Sequence, residues 1–399
     1  MSARPKTLAA LLCTLDVLAC LVAGAVAASA AEQRIPATRY RGVNSHAPWY
    51  WQVSKAEVKR EIAQAAALGL NYIRIPVEWA GIESRGKGVR GGEALRRLDL
   101  IVREAAADGI KIDGTIATTP HWASPGGGGY DAPSHPESSL RPFAKWLAKR
   151  YGAKLIALGV WNEPTKSDNL KSPSGTQLSN KTEAGLKQRA SYYAPMVKAV
   201  FKGAREGNAS LKVLAHEDGA EVGQSVAPLT FLRACFSYGM RGYFDAIAVH
   251  AYSEGAAPEV PYVNSSKSKI ERLHRVLKEE GSSAPIWASE WGYSLEDSEA
   301  VRAEYVKKGV QMLDTQLPYL EGWSYFLLRD TVNAPAEKEE NFGLLEQSFT
   351  PRRSLMALQG MLRASVAIKG APRLGPAPSP LIALADSSAI RVVAYARRI

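Results

Sequence analysis

Short apolar runs rich in β-branched residues alternate with longer amphipathic stretches along most of this chain. Runs of that kind bounded by turn residues read as strands. Apolar positions recurring every three or four residues read as helices. The first pair is a strand over 40–44 and a helix over 54–68, opened by a Ser54/Glu57 capping box and stopped by Gly69. Further strands are predicted over 72–77, 111–118, 154–161, 211–215, 244–250, 285–289 and 322–328. The helices that follow them fall over 93–107, 138–151, 183–206, 228–238, 266–280, 298–316 and 352–362.

Eight strand-then-helix units imply parallel strands joined by right-handed crossovers. An open doubly wound sheet usually stops near about six strands and often carries a glycine-rich phosphate loop. No GxGxxG or Walker sequence follows a strand here. The tetraglycine 126–129 starts no helix and reads as a mobile loop. The expected fold is therefore α/β, a closed (β/α)8 TIM barrel over 31–364. A Pro/Gly linker and a short C-terminal β-hairpin, with strands over 381–384 and 390–394, occupy 365–399. Long connections over 119–137, 164–182 and 329–351 follow strand ends, whereas connections back into strands are short, as at 69–71. In a barrel the long ones gather at the C-terminal face, where sites are built.

Composition adds bounds. The 399 residues are 46% hydrophobic and 22% charged, enough for a large core. The net charge of +11 is scattered without a basic block, which argues against nucleic acid as a partner. It reads as a solubilising surface, with at most a weak pull on acidic polysaccharide. Arg4 and Lys6, an apolar run over 8–28 and Ala28-Ser29-Ala30 fit a cleaved export signal over 1–30, with an uncleaved anchor as the alternative. Asp16 interrupts that run. The expectation is a periplasmic or extracellular monomer with no membrane contact after cleavage. Cys13 and Cys20 lie within the signal, so Cys235 is the only mature cysteine and reads as a buried, inert thiol.

Two glutamates carry the candidate chemistry. Glu163 follows strand four in Trp161-Asn162-Glu163-Pro164, and Glu290 closes strand seven in Ala288-Ser289-Glu290-Trp291-Gly292. In a barrel both reach one rim. One carboxyl to donate a proton and a second to attack carbon, about 5–5.5 Å apart, cleave a glycosidic bond with retention. The donor must be protonated, so Glu163 needs an apolar wall or the charge of Glu290 to raise its pKa. Glu290 must stay ionised, and Arg74 on strand two and Tyr252 past strand six are the expected partners. Arg74 has a blander alternative, pairing with Glu78. His46, His121 and His250 end strands and are candidate sugar contacts, with a purely structural role the alternative for His250. Trp49, Tyr50, Trp51, Trp122, Trp291, Tyr293 and Trp323 sit at strand ends, where rings can stack on sugar faces; Trp323 is the preferred platform. His216-Glu217-Asp218 ends strand five and could bind a sugar hydroxyl, a cation or nothing. No second ligand pair stands at zinc spacing and no G-x-S-x-G elbow follows a strand, so neither metal nor cofactor nor serine chemistry is expected.

Trp161-Asn162-Glu163-Pro164 together with Glu290 resembles glycoside hydrolase clan A, the retaining (β/α)8 enzymes, over 40–362. Thr119-Pro120-His121-Trp122-Ala123-Ser124 and the segment from Arg141-Pro142-Phe143-Ala144 to Arg150-Tyr151-Gly152 are similar to family 39, including members that cut bacterial exopolysaccharide. Family 5 is the second choice. The resemblance implies Glu163 as acid/base, Glu290 as nucleophile, Asn162 on the sugar 2-hydroxyl, an oligo- or polysaccharide substrate, and a cis peptide at Trp323–Ser324. The rival readings are a non-catalytic polysaccharide-binding barrel and a transglycosylase using the same glutamates.

Overall fold

Eight parallel strands close on themselves in sequence order. They are β1 (Tyr40–Asn44), β2 (Tyr72–Glu78), β3 (Lys111–Ala117), β4 (Leu155–Val160), β5 (Lys212–Asp218), β6 (Ala246–His250), β7 (Ile286–Trp291) and β8 (Leu320–Tyr325). Each is followed by a long helix: α1 (Lys55–Ala67), α2 (Gly92–Ala107), α3 (Pro136–Tyr151), α4 (Glu183–Gly207), α5 (Pro228–Ser237), α6 (Ser266–Glu279), α7 (Glu299–Thr315) and α8 (Arg353–Ile368). β8 closes against β1 with Ser324 opposite Gly42. This computed structural model describes residues 40–49, 53–166, 168–220, 228–253, 255–294, 298–330 and 341–368. The export signal, Tyr50, Trp51, and the linker and hairpin beyond 368 lie outside the described residues. None of the described helices is long and apolar enough to cross a membrane.

Local chemistry explains the helix starts. Ser54, Thr182, Ser265 and Ser298 each accept a backbone N–H from the first turn of α1, α4, α6 and α7. Ser54 and Glu57 complete the capping box reciprocally. The strands are buried on both faces, so their apolar runs split between an outer core against the helices and the barrel interior. At the N-terminal end the interior is plugged by Tyr72, Ala157, Leu214, Ala246, Ala248 and Trp287, with Tyr40 against them. The rings of Tyr40 and Tyr72 lie 4.9 and 5.4 Å from that of Trp287. Gly42 makes room, since a Cβ there would stand 2.5 Å from the Tyr72 ring.

Three features depart from the sequence expectation. β5 runs on to Asp218 instead of stopping at 215, because polar residues continue the strand where the barrel interior is itself polar. α8 reaches Ile368, past the expected domain end. The tetraglycine is a built turn: Thr119 and Gly129 exchange backbone bonds of 2.7 and 2.8 Å, and Gly126 donates to Pro173 at 2.9 Å. Gly127, Gly128 and Gly129 take φ of 104°, 88° and 67°, a path that only glycine follows cheaply. Cys235 is buried, and burial pushes its thiol well above the usual range.

Candidate active site

Beyond β4 the chain turns sharply, with Trp161 and Glu163 in the left-handed region at φ 65° and 45°. Such non-glycine conformations cost about 1–3 kcal/mol and persist only when their surroundings hold them. Here the Glu163 N–H donates to the Glu217 carbonyl at 2.8 Å, and the Trp161 indole donates to the Asn169 carbonyl. On β7 the register shifts between Ala288 and Trp291, a bulge that turns Glu290 into the barrel mouth. Glu163, Glu290 and His250 each place one donor atom within 4.8 Å of the others. Two carboxylates far apart in sequence thus share one opening.

Glu290 is held from both sides. Arg74 Nη1 donates to Oε1 at 2.6 Å and the Tyr252 hydroxyl donates to Oε2 at 2.7 Å. The same guanidinium reaches Asn44 Oδ1 at 2.8 Å, Asn162 Oδ1 at 3.0 Å and Glu217 Oε2 at 3.1 Å. Its partners are therefore Glu290 and Glu217, and not Glu78. With Asn162 Oδ1 engaged by Arg74, its amide N–H2 is left to the cavity. His250 Nδ1 stands 3.0 Å from Glu163 Oε1 and 3.4 Å from Glu290 Oε2. Although two carboxylates and an imidazole are a possible cation-binding set, these donors are already committed to Arg74, Tyr252 and each other.

The charges depart from expectation at Glu163. Burial works to raise its pKa, but the hydrogen bond and charge of His250 and the charge of Lys166 outweigh burial and bring it to about 2. Lys166 Nζ lies 2.6 Å from Glu163 Oε2. Burial likewise disfavours the His250 cation, yet Glu290, Glu163 and Glu217 overcome it and raise His250 to about 10. Both shifts run the same way, toward a charged imidazole beside a Glu163 carboxylate. Burial and the neighbouring Glu217 raise Asp113, on β3 beneath the site, to about 8, with Arg74 opposing. His46 falls to about 4, through burial with the Glu290 charge opposing.

Above these groups opens a cavity of about 600 Å³, within the range of roughly 300–1,000 Å³ typical of small-ligand pockets. Asn162, Glu163, Arg74, Tyr252, Glu290 and His46 line it, as do Trp49 and Tyr293. His250 lies just beneath, buried.

Four expected sugar contacts are elsewhere. Ser324 points inward and accepts a bond from Asn44 Nδ2 at 3.0 Å, so by strand alternation Trp323 points outward. There the Trp323 indole donates to Asp314 on α7 at 2.9 Å. Trp291 follows the inward Glu290 by one residue and faces α7, edge-on to Trp323 at 5.7 Å. Both are fully buried and neither lines the cavity. His121 and Trp122 lie in a separate shallow groove with Lys87 and Ser134. The pinned 119–129 turn carries them off the mouth, and the Trp122 indole donates to the Glu83 carbonyl at 2.7 Å. The cis peptide falls at Phe326–Leu327 rather than at Trp323–Ser324.

Tyr130, Phe326 and Phe342 supply aromatic wall that sequence reasoning missed, with Lys166 and Asn169 at the rim. Strand parity could have found Phe326, two residues beyond Ser324. Phe342 lies in a long connection with no periodicity to read. The His216-Glu217-Asp218 triplet splits three ways. The His216 ring turns outward to the Ala248 carbonyl at 3.1 Å, Asp218 accepts the Thr165 N–H at 2.8 Å, and Glu217 points into the barrel.

A closed parallel barrel with two carboxylates facing each other across a sugar-sized, aromatic-walled mouth is the build of a glycosidase. A family model described as Cellulase (glycosyl hydrolase family 5) matches residues 29–326, and the chain belongs to that family. No curated protein matches it in sequence. Among solved structures it is similar to a family 39 glycoside hydrolase from Bacteroides cellulosilyticus WH2, at 16% identity and TM-score 0.60, covering 82% of this chain and 64% of that one. A GH39 enzyme from Xanthomonas axonopodis pv. citri matches at 15% identity and TM-score 0.59, over 82% of this chain and 66% of that one. A GH5_18 enzyme from Streptomyces cattleya in complex with GlcNAc matches at 16% identity and TM-score 0.59, over 84% and 82%. The chain therefore spans about two thirds of the length of the family 39 structures. Both families lie in the expected clan; the matching sequence model is that of family 5.

Proposed function

We propose that this protein is a retaining glycosidase in which Glu290 is the nucleophile and Glu163 the acid/base. The observation that carries the reading is the approach of the two carboxylates to within 4.8 Å across one cavity, in keeping with the short separation of about 5–5.5 Å that retention uses. A Glu290 oxygen attacks the anomeric carbon as the glycosidic C–O bond breaks, and the departing oxygen takes a proton from Glu163. A glycosyl ester on Glu290 results. Water then gives a proton to the Glu163 carboxylate and attacks the same carbon, releasing Glu290 and a sugar of unchanged configuration.

With His250 protonated, its Nδ1–H lies one hydrogen bond of 3.0 Å from Glu163. A substrate that fills the mouth displaces the half-exposed Lys166 ammonium and excludes water. Both changes favour transfer of that proton to Glu163. The aromatic walls suit the apolar faces of sugar rings. The fold neighbours include an exo-beta-1,4-mannosidase from an Opitutaceae bacterium and the GlcNAc complex, so β-linked hexosides are the first substrates to try. Bacterial exopolysaccharide comes next, from the likeness to family 39.

The test is a panel of aryl β-glycosides and exopolysaccharides, followed by a 2-deoxy-2-fluoro glycoside of the best glycon. Mass spectrometry is expected to find the label on the peptide carrying Glu290. Full turnover by Glu290→Ala would overturn the nucleophile, and turnover with inverted configuration would overturn the mechanism. Oligomeric product beyond the input length would favour transglycosylation.

A further inference from the structure

Below the catalytic pair lies a third carboxylate that does not line the cavity. It belongs to Glu217, which is fully buried. Its Oε2 lies 3.1 Å from Arg74 Nη2 and 3.6 Å from His250 Nε2. Its backbone carbonyl accepts the Glu163 N–H at 2.8 Å. One residue thus contacts the groups that hold both glutamates.

The chain is bent to put it there. The β5–β6 register shifts between Ala215 and Asp218, and His216 and Glu217 take left-handed φ of 82° and 44°. Non-glycine residues keep such conformations only where their surroundings hold them. Alternation from the inward Leu214 would turn His216 inward and Glu217 outward, and the bulge reverses the two. Gly159 on β4 leaves the space, since a Cβ there would stand 2.5 Å from Glu217 Oε1. A barrel built only for stability would fill this position with an apolar side chain, because a buried ion pair rarely gains over one.

We propose that Glu217 is a positioning residue: its buried carboxylate ties Arg74 and His250 together beneath the site, so that Arg74 stays on Glu290 and the His250 N–H stays on Glu163. Asn44 already accepts from Nη1 and Asn162 from Nη2, but without Glu217 the Nη2 side of the guanidinium would face no carboxylate. With Glu217 on one Nη and Glu290 on the other, the guanidinium plane is fixed. On His250, Glu217 draws Nε2 downward, which aims Nδ1 up at Glu163. The charged and titratable groups around this imidazole are Glu163 beyond β4, Glu217 on β5 and Glu290 on β7. Arg74 on β2 and Asp113 on β3 adjoin Glu217, and Tyr252 beyond β6 holds Glu290. Removing the Glu217 charge takes away one of three anions that favour the His250 cation.

The role in catalysis rests on the glycosidase reading, but the role in setting His250 is tested without substrate. In Glu217→Gln, the His250 midpoint is expected to fall by about one pH unit or more, followed by NMR of 15N-histidine-labelled protein with His250→Asn for assignment. With a glycoside substrate, kcat is expected to fall about 10–100-fold with little change in KM. The alkaline limb of the rate profile moves to lower pH along with the His250 midpoint. Loss of activity with an unmoved midpoint and unmoved profile would show an ordinary structural role and overturn the proposal. A shifted midpoint in a protein that turns over no glycoside would keep Glu217 as the group that sets His250 and defeat the glycosidase reading instead. Gly159→Ala displaces the same carboxylate without removing its charge, and a similar kcat loss is expected. Should neither variant fold, the native protein decides: a neutral His250 at pH 7 overturns the proposal.

Discussion

The two ends of one barrel interior are built on opposite terms. At the N-terminal end β2, β5, β6 and β7 contribute Tyr72, Leu214, Ala246, Ala248 and Trp287, packed ring on ring with Tyr40. One or two inward positions further along, the same strands contribute Arg74, Glu217, His250 and Glu290. The lower layer removes apolar surface from water and pins the strands in register. The upper layer buries four ionisable groups held by one another and by Glu163, Tyr252, Asn44 and Asn162. Stability is concentrated in the first and chemistry in the second, and the strands are rigid enough to carry both. In the upper layer the register shifts on β5, between Ala215 and Asp218, and on β7, between Ala288 and Trp291, re-aim Glu217 and Glu290.

That contrast is broken most forcefully at its top. Glu290→Ala is expected to cut kcat by about 10^4-fold or more, roughly 5 kcal/mol of transition-state stabilisation, with a fold unchanged by circular dichroism. Next comes the plug. Trp287→Ala is expected to lose about 3–5 kcal/mol of stability in a denaturant titration, while activity per folded molecule falls less than tenfold. A catalytic collapse in that variant would show that the layers are not separable.

Asp113 sits where the layers meet, and neither of its carboxyl oxygens has a hydrogen-bond partner among the described residues. Its pKa in the folded protein is raised to about 8 by burial and then by Glu217. The neutral form is the one the fold accepts, so this group's contribution is fully present below its unfolded pKa near 3.8 and is lost as pH rises towards 8. Asp113→Asn is therefore expected to raise Tm by about 2–4 °C at pH 8.5 and to change it little at pH 3.5, read by calorimetry. The smallest effect belongs outside the barrel. Trp323→Phe should lose about 1 kcal/mol with the bond to Asp314. Its KM should stay within about twofold, because the ring faces α7 and not the cavity. A large rise in KM would return Trp323 to the sugar.

The barrel was legible because its signal is repeated. Each strand and helix carries its own period, and caps such as Ser54 and Ser298 mark starts independently. The two glutamates were legible because chain position alone puts β4 and β7 tips on one rim. Trp291 and Trp323 misled because proximity to a strand end says nothing about which face a ring takes. One residue of parity, shifted by a bulge, sends Glu290 in and Trp291 out. At Glu163 the direction of the pKa shift departs from the expectation for a related reason. Glu290 and an apolar wall were counted as its surroundings, but His250 and Lys166 lie closer and carry positive charge.

Sequence alone determined the alternation of elements, the closure it implies and the residue types available for chemistry, since each depends on local periodicity and chain order. Only the tertiary structure decided which side chains meet. A bulge of a single residue reverses inward and outward, and the balance of charge at Glu163 depends on groups from β4, β5, β6 and β7 converging within a few ångströms. Those distances are set by closure of the whole barrel, which no local stretch of sequence encodes.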